Sequence, residues 1–304
     1  MTTAFVLGGG ANLGAVEVGM LYALTERNIR PDLLIGTSAG ALNAAYVAGQ
    51  GTGRQALDDL AATWRKLRRQ DVFALDPLHH LMAITGVRSS LCSDRNLRRL
   101  IESHLPYRNL EDAAIPVHLV TTDLLSGKEI LLSTGDAVSA VLASAAVPGV
   151  LPTVRRGGLD LVDGGIADNA ALSQAVALGA DDVWVLPAGY ACALPHPPTT
   201  ALATAVQALT LLTHQRLLLE VADFSTRVDL HVLPPLCPVS VSPIDFSRAD
   251  ELIGRAHQAT QAWLADGGDR QPHPERVLSL HHHRARNTDD VSPVCARTSA
   301  PTTS

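Results

Sequence analysis

The chain has 304 residues, 46% of them hydrophobic and 18% charged, so it carries enough apolar material for one large core. A net charge of −6 and an aromatic content of 4% supply neither a cationic surface nor a stacking platform, which argues against a nucleic-acid partner. Cys92, Cys192, Cys237 and Cys295 are scattered and form no C-x-x-C pair, so neither a disulfide framework nor a zinc site is expected, and a reducing compartment fits better.

The N-terminus has no basic flank ahead of its apolar residues, and no secretory signal is expected. The most apolar run, Ala137 to Val154, is broken by Ser139, Ser144, Pro148, Gly149 and Pro152, whereas a membrane span needs roughly 20 apolar residues. A soluble, cytoplasmic protein is the resulting expectation, with peripheral contact to a membrane as an addition.

Thr3 to Leu7 is apolar after Thr3 and reads as a strand covered on both faces. The glycine-rich turn Gly8–Gly14 follows, then a helix over Ala15–Arg27 with Val16, Met20, Leu21 and Leu24 on one face. Leu33–Ile35 is a second strand, and a helix opens after Ser38. Strand, helix, strand and helix within fifty residues indicate a parallel sheet. Between the second strand and its helix lies Gly36-Thr-Ser-Ala-Gly40, a G-x-S-x-G pentapeptide. A serine on such a tight turn exposes its hydroxyl at the top of a sheet, and Gly36 and Gly40 leave room for strand and helix to pack closely. Ser38 is therefore a candidate nucleophile.

Residues 53–110 read as helical and basic, with Trp64, Leu67, Leu97, Leu100 and Ile101 facing the core. The cations Arg65, Lys66, Arg68, Arg69, Arg95, Arg98 and Arg99 read as solvated helix faces, with an anionic lipid surface as the functional alternative. Pro116–Thr122 and Lys128–Ser133 read as a hairpin, Asp136 as the cap of a helix over Ala137–Ala145, and Gly157–Val162 as a strand. Asp163 ends that strand ahead of Gly164-Gly165. A carboxylate at a strand's carboxyl end lies on the ligand-binding edge of an α/β sheet and can serve as a general base. A helix over Ala171–Leu178, a strand over Asp182–Leu186, a long helix over Thr199–Phe224, a strand over Val228–Leu233 and a helix over Ser247–Leu264 capped by Ser247 complete the domain. Leu202, Val206, Leu209, Leu212 and Thr213 recur at helical spacing and read as a core stripe, with a membrane or dimer contact as the alternative. Residues 266–304 lose all periodicity and read as a disordered tail after a domain of residues 1–265. The His281–His283 run inside it reads as a solvated low-complexity segment rather than a metal site. The histidines His118 and His231 fall inside strands and read as structural, so a two-residue Ser/Asp arrangement fits better than a triad.

Four segments, in this order, give the chain its resemblance to the patatin-like phospholipases: Leu7-Gly-Gly-Gly-Ala-Asn-Leu-Gly-Ala15, Ile35-Gly-Thr-Ser-Ala-Gly-Ala41, Ala143-Ser-Ala-Ala-Val-Pro148 and Val162-Asp-Gly-Gly-Ile-Ala-Asp-Asn169. The resemblance covers roughly residues 4 to 190. It implies a three-layer α/β/α fold with a central, mostly parallel sheet, and hydrolysis of lipid acyl esters by a serine–aspartate dyad without cofactor or metal. Carried onto this chain, it makes Ser38 the nucleophile, Asp163 the base and the N–H groups near Gly9, Gly10 and Ala11 the oxyanion hole. The chain departs from the family pattern at two places: Ala11 stands where the third glycine of the turn belongs, and Leu13 where a basic residue belongs. These departures motivate a second reading, a patatin-like fold that binds lipid or a partner with little turnover. A dinucleotide-binding turn fits poorly, because the spacing is G-x-G-x-x-x-G and Asp32 precedes the second strand instead of ending it.

Overall fold

A computed structural model describes residues 1–74, 90–169, 171–271, 273–281 and 283. The strands β1 (Thr3–Leu7), β2 (Leu33–Thr37), β3 (Val117–Asp123), β7 (Asp182–Leu186) and β8 (Asp229–Val232) form a parallel core in the order β3-β2-β1-β7-β8. Antiparallel strands β4 (Glu129–Leu132), β5 (Val154–Arg156) and β6 (Leu159–Asp163) extend it, making a mixed sheet of eight strands. Helices cover both faces. Successive residues of β1 show why its sequence is uninterruptedly apolar: Phe5 and Leu7 enter the larger core, while Ala4 and Val6 enter the core on the opposite face.

The larger core is packed by α1 (Gly14–Glu26), α2 (Ala39–Gln50), α3 (Arg54–Lys66), α4 (Arg95–His104), α5 (Ala137–Ser144) and, further along the chain, α8 (Ala249–Ala265). The opposite face is packed by α6 (Leu172–Ala177) and α7 (Ala201–Phe224). Trp64, Leu67, Leu97 and Ile101 are buried, as their spacing predicts, and Leu100 packs partly buried against them. The basic residues lie on solvated faces, where Arg65 pairs with Asp250 and Arg98 with Asp94. The part of the helical reading that covers residues 75–89 lies outside the described residues.

Several boundaries differ from the sequence reading for identifiable reasons. The strand read as starting at Gly157 is a hairpin, β5 and β6, whose two-residue turn has both glycines at positive φ, 57° for Gly157 and 83° for Gly158. Ser247 does not cap α8. Asp245 accepts the Ser247 N–H at 3.0 Å and starts a 3-10 turn over Phe246–Arg248 that feeds the helix at Ala249. On α7, Leu202, Val206 and Thr213 are buried, but Leu212 is 54% exposed and leaves the expected core stripe.

The fold also continues past Ala265. Leu278, in a 3-10 turn over Pro274–Leu278, is fully buried in the core beneath α7, and its carbonyl meets His214 Nε2 at 2.7 Å. The Asp269 carbonyl meets His231 Nδ1 at 2.7 Å, and Asp182 lies 3.2 Å from the other ring nitrogen. His231 is a structural residue that ties this segment to β8. The described residues of the expected tail, 266–271, 273–281 and 283, are therefore tied to the domain by one apolar anchor and two histidine clamps; residues 272, 282 and 284–304 lie outside the described residues.

Candidate active site

The pairing register of β3 builds the site. Thr37, the last residue of β2, pairs with Val120, and Asp163, the last residue of β6, pairs with the next residue, Thr121. Strand β4 pairs with residues 119–122 and so occupies the other edge of β3. Strands β2 and β6 therefore share one edge and meet there tip to tip. Asp163 comes to the carboxyl end of β2 on a strand running against the parallel core.

Each tip turns sharply away. Ser38 has φ 55° and ψ −117°, a conformation that a side chain adopts only under strain. A Cβ on Gly40 would lie 2.2 Å from the Leu7 carbonyl oxygen and one on Gly36 2.6 Å from the Gly40 oxygen, so both flanking positions of the pentapeptide exclude a side chain. The strained turn is held by Ser144 of α5. Its hydroxyl accepts the Ser38 N–H at 3.0 Å and donates to the Val120 carbonyl at 2.6 Å.

Ser38 and Asp163, both singled out in the sequence, meet: the Ser38 hydroxyl donates to Asp163 Oδ2 at 2.7 Å. The second carboxylate oxygen, Oδ1, accepts the Gly165 N–H at 2.9 Å, and Thr122 Oγ1 donates to the Asp163 carbonyl at 2.9 Å. Asp163 is only 1% exposed. Burial pushes its pKa up to about 6, against the opposing pull of the Ser38 hydroxyl and the Gly165 N–H. Among the described residues lining the surrounding cleft there is no histidine. His118 is engaged elsewhere, with Ser133 at 2.7 Å.

The glycine-rich turn faces the same point. The hydrogen bonds show a difference from expectation at Gly9, whose N–H donates to the Asn169 side-chain oxygen at 2.8 Å. Asn169 thereby joins the Asp163-Gly-Gly loop to the turn, a role with no local sequence signal. The N–H groups of Gly10 and Ala11 make no hydrogen bond among the described residues. The first N–H groups of α2, starting at Ala39, add the positive end of a helix beside Ser38. Ala11 has φ 52°, the left-handed region that a glycine would occupy without strain. Leu13, where a cation was expected, is fully buried and packs in the larger core.

The serine opens onto an apolar cleft. Its walls include Leu42, Trp64, Phe73, Val206, Leu209 and Phe246, drawn from both helical layers. Trp64 stacks on Phe246 at 6.5 Å and donates its indole N–H to Asn43 at 2.8 Å, so the polar atom of the wall is satisfied away from the cleft. Beneath it the buried Glu17 accepts from Asn43 at 2.7 Å, and burial holds its pKa well above the usual carboxylate range.

A strained serine elbow, a facing glycine turn and a buried aspartate thus meet on one mixed α/β sheet. The family profile for patatin-like phospholipase matches residues 5–176, and the chain belongs to that family. It is 27% identical over 283 residues to lysophospholipase NTE1 of Coccidioides immitis, a match covering 83% of this chain and 17% of that protein. An uncharacterized NTE family protein of Mycobacterium tuberculosis is 31% identical over 165 residues, 54% of this chain and 26% of its own length. The chain thus spans under a fifth of the fungal protein and about a quarter of the mycobacterial one. Among solved structures, VipD from Legionella pneumophila aligns with a TM-score of 0.47 at 14% identity, over 87% of this chain and 67% of that one. No described helix is long and apolar enough to cross a membrane.

Proposed function

We propose that the chain is a serine hydrolase of lipid acyl esters that works through a Ser38–Asp163 dyad. The observation that carries this reading is the 2.7 Å hydrogen bond from the Ser38 hydroxyl to a buried carboxylate at the floor of an apolar cleft. In the first half-reaction Ser38 Oγ attacks the ester carbonyl while Asp163 Oδ2 takes its proton. The tetrahedral oxyanion is received by the N–H groups of Gly10 and Ala11, and Asp163 returns the proton to the leaving alcohol. Water then attacks the acyl-enzyme with Asp163 again as base. A pKa of about 6 leaves Asp163 ionised at neutral pH yet basic enough to accept a proton in the transition state. The cleft walls suit an acyl chain, and membership of the patatin-like phospholipase family supports a lipid ester over a peptide substrate. The matched NTE1 protein bears the name lysophospholipase, which favours a phospholipid-derived ester.

The exposed Arg68 and Arg69 beside Phe73 favour peripheral contact with an anionic lipid surface, at about 1 kcal/mol per basic residue near the membrane. Flotation with anionic vesicles tests this; equal flotation of wild type and an Arg68→Glu/Arg69→Glu variant would refute it.

Purified protein is expected to hydrolyse p-nitrophenyl acyl esters, with Ser38→Ala and Asp163→Asn each abolishing turnover at retained fold. Full activity in either variant sinks the dyad. A second reading, lipid binding with little turnover, is favoured by the engagement of the Gly9 N–H with Asn169, because losing one oxyanion donor typically costs ~2.7–4 kcal/mol of transition-state stabilisation. A fluorophosphonate probe separates the two, since only a competent Ser38 is labelled.

A further inference from the structure

Four side chains of metal-ligand type converge from three distant parts of the chain, remote from Ser38. Cys192 follows β7, Cys237 follows β8, and His281 and His283 stand in the C-terminal segment, which the sequence alone assigned to a solvated tail. Their ligand atoms all lie within 4.8 Å of one another. Cys237 Sγ is 2.9 Å from His283 Nε2, 3.0 Å from His281 Nε2 and 3.9 Å from Cys192 Sγ. We propose that these four residues bind one zinc ion in a tetrahedral Cys2His2 site, which fastens the C-terminal segment to the loops after β7 and β8.

The spacing suits an ion better than a disulfide. Two thiolates bound to zinc at about 2.3 Å and at the tetrahedral angle stand about 3.8 Å apart. The sulfurs are 3.9 Å apart, whereas a disulfide needs about 2.05 Å. With zinc–nitrogen bonds of about 2.0 Å, the sulfur–nitrogen edges of such a site are about 3.5 Å, so the two imidazoles withdraw from Cys237 by about half an ångström as the ion enters. Sulfur and imidazole donors select zinc over calcium or magnesium.

The surroundings prepare the ligands. His281 Nδ1 lies 2.8 Å from the Ser279 carbonyl oxygen. Only a protonated nitrogen can donate there, so Nδ1 carries the hydrogen and Nε2 presents its lone pair to the site. Cys192 Sγ accepts the Val239 N–H at 3.4 Å, a bond that favours the thiolate. The backbone is held independently of any ion. The Tyr190 hydroxyl accepts the His281 N–H at 2.7 Å and donates to the His281 carbonyl at 2.8 Å, and the His283 N–H donates to the Cys192 carbonyl at 2.9 Å. Cys192 is buried, Cys237 and His283 are half-buried and His281 is exposed, which gives an ion a path from solvent.

On binding, each thiol yields its proton to solvent, and no oxidant or reductant is needed. All four positions are filled by protein, so the site is structural and leaves no place for a reacting water. Its effect on the rest of the molecule runs through the loop after β7. That loop carries Ala188, whose Cβ would lie 2.5 Å from a side chain on Gly10, so the ion braces the support behind the glycine turn. This inference does not depend on the proposed hydrolase activity.

The full chain, purified under reducing conditions without chelator, is expected to contain one zinc per chain by elemental analysis. Replacement with cobalt should give the visible bands of a tetrahedral ion together with thiolate-to-cobalt charge transfer. Cys237→Ser and the His281→Ala/His283→Ala pair should each lose the metal, and chelation should lower the wild-type melting temperature while leaving that of the paired variant unchanged. The wild-type zinc content and cobalt spectrum decide the matter even if a variant fails to fold. A reduced wild-type chain that holds no zinc and gives no thiolate-to-cobalt band overturns the proposal. So does a Cys192–Cys237 disulfide found by mass spectrometry in its place, or undiminished zinc in Cys237→Ser.

Discussion

Asp163→Asn is expected to abolish ester hydrolysis while making the protein more stable at neutral and alkaline pH. Burial raises the Asp163 pKa from 3.8 to about 6, so the folded state prefers the protonated acid and the unfolded chain the carboxylate. The sign follows from linkage: this stabilisation is fully present below the unfolded pKa and is lost as pH rises through about 6. Displacement of that size corresponds to about 3 kcal/mol by neutral pH, and with the residue 1% exposed little solvent screening reduces it. Asparagine carries no charge: its single oxygen still accepts the Gly165 N–H, and its amide N–H donates to the Ser38 oxygen, which accepted no bond from Asp163 before. Melting temperatures of wild type and variant, measured at about pH 4.5 and about pH 8, should diverge by about 5 °C more at the higher pH. A difference that does not change with pH would refute the argument that burial of a charge governs this site.

The same group should set the pH–rate profile: kcat/KM is expected to fall about tenfold per unit below about pH 6 and to reach a plateau above it, as stopped assays across pH would show. Ala11→Gly should stabilise the protein by about 0.5–1 kcal/mol, because relief at φ 52° exceeds the added freedom of the unfolded chain; denaturant midpoints check it. Ser144→Ala leaves the Ser38 N–H and the Val120 carbonyl without their shared partner, so stability should drop by about 1–3 kcal/mol and kcat should fall more than KM changes.

Local chemistry made much of this molecule legible. The all-apolar β1, the strand-turn-helix around Ser38 and the Asp136 cap, which accepts the Ser139 N–H at 2.7 Å, are each dictated by neighbours in sequence. Even the missed hairpin had a signal, since two adjacent glycines between β-formers favour a turn with both residues at positive φ. What was not legible depends on register between distant segments. That β3 passes from β2 to β6 at Val120 and Thr121 is a property of pairing over many residues, and no short motif announces it. The Ser144 and Asn169 hydrogen bonds, and the gathering of Cys192 and Cys237 with two histidines, arise the same way. Leu212 fits the helical period of its neighbours but emerges on the solvent side of α7, because periodicity fixes the spacing of a stripe and not how wide a face its neighbours cover.

Because β2 and β6 end on consecutive residues of one strand edge, a single peptide of β3 acts as the ruler between nucleophile and carboxylate. Twisting or breathing of the sheet carries both groups together, so their separation is protected from the motions that the sheet itself permits. Side-chain changes along β3 leave the ruler intact. Inserting one residue between Val120 and Thr121 would reset it by a full residue, about 3.3 Å, and turn every later side chain of the strand to the opposite face.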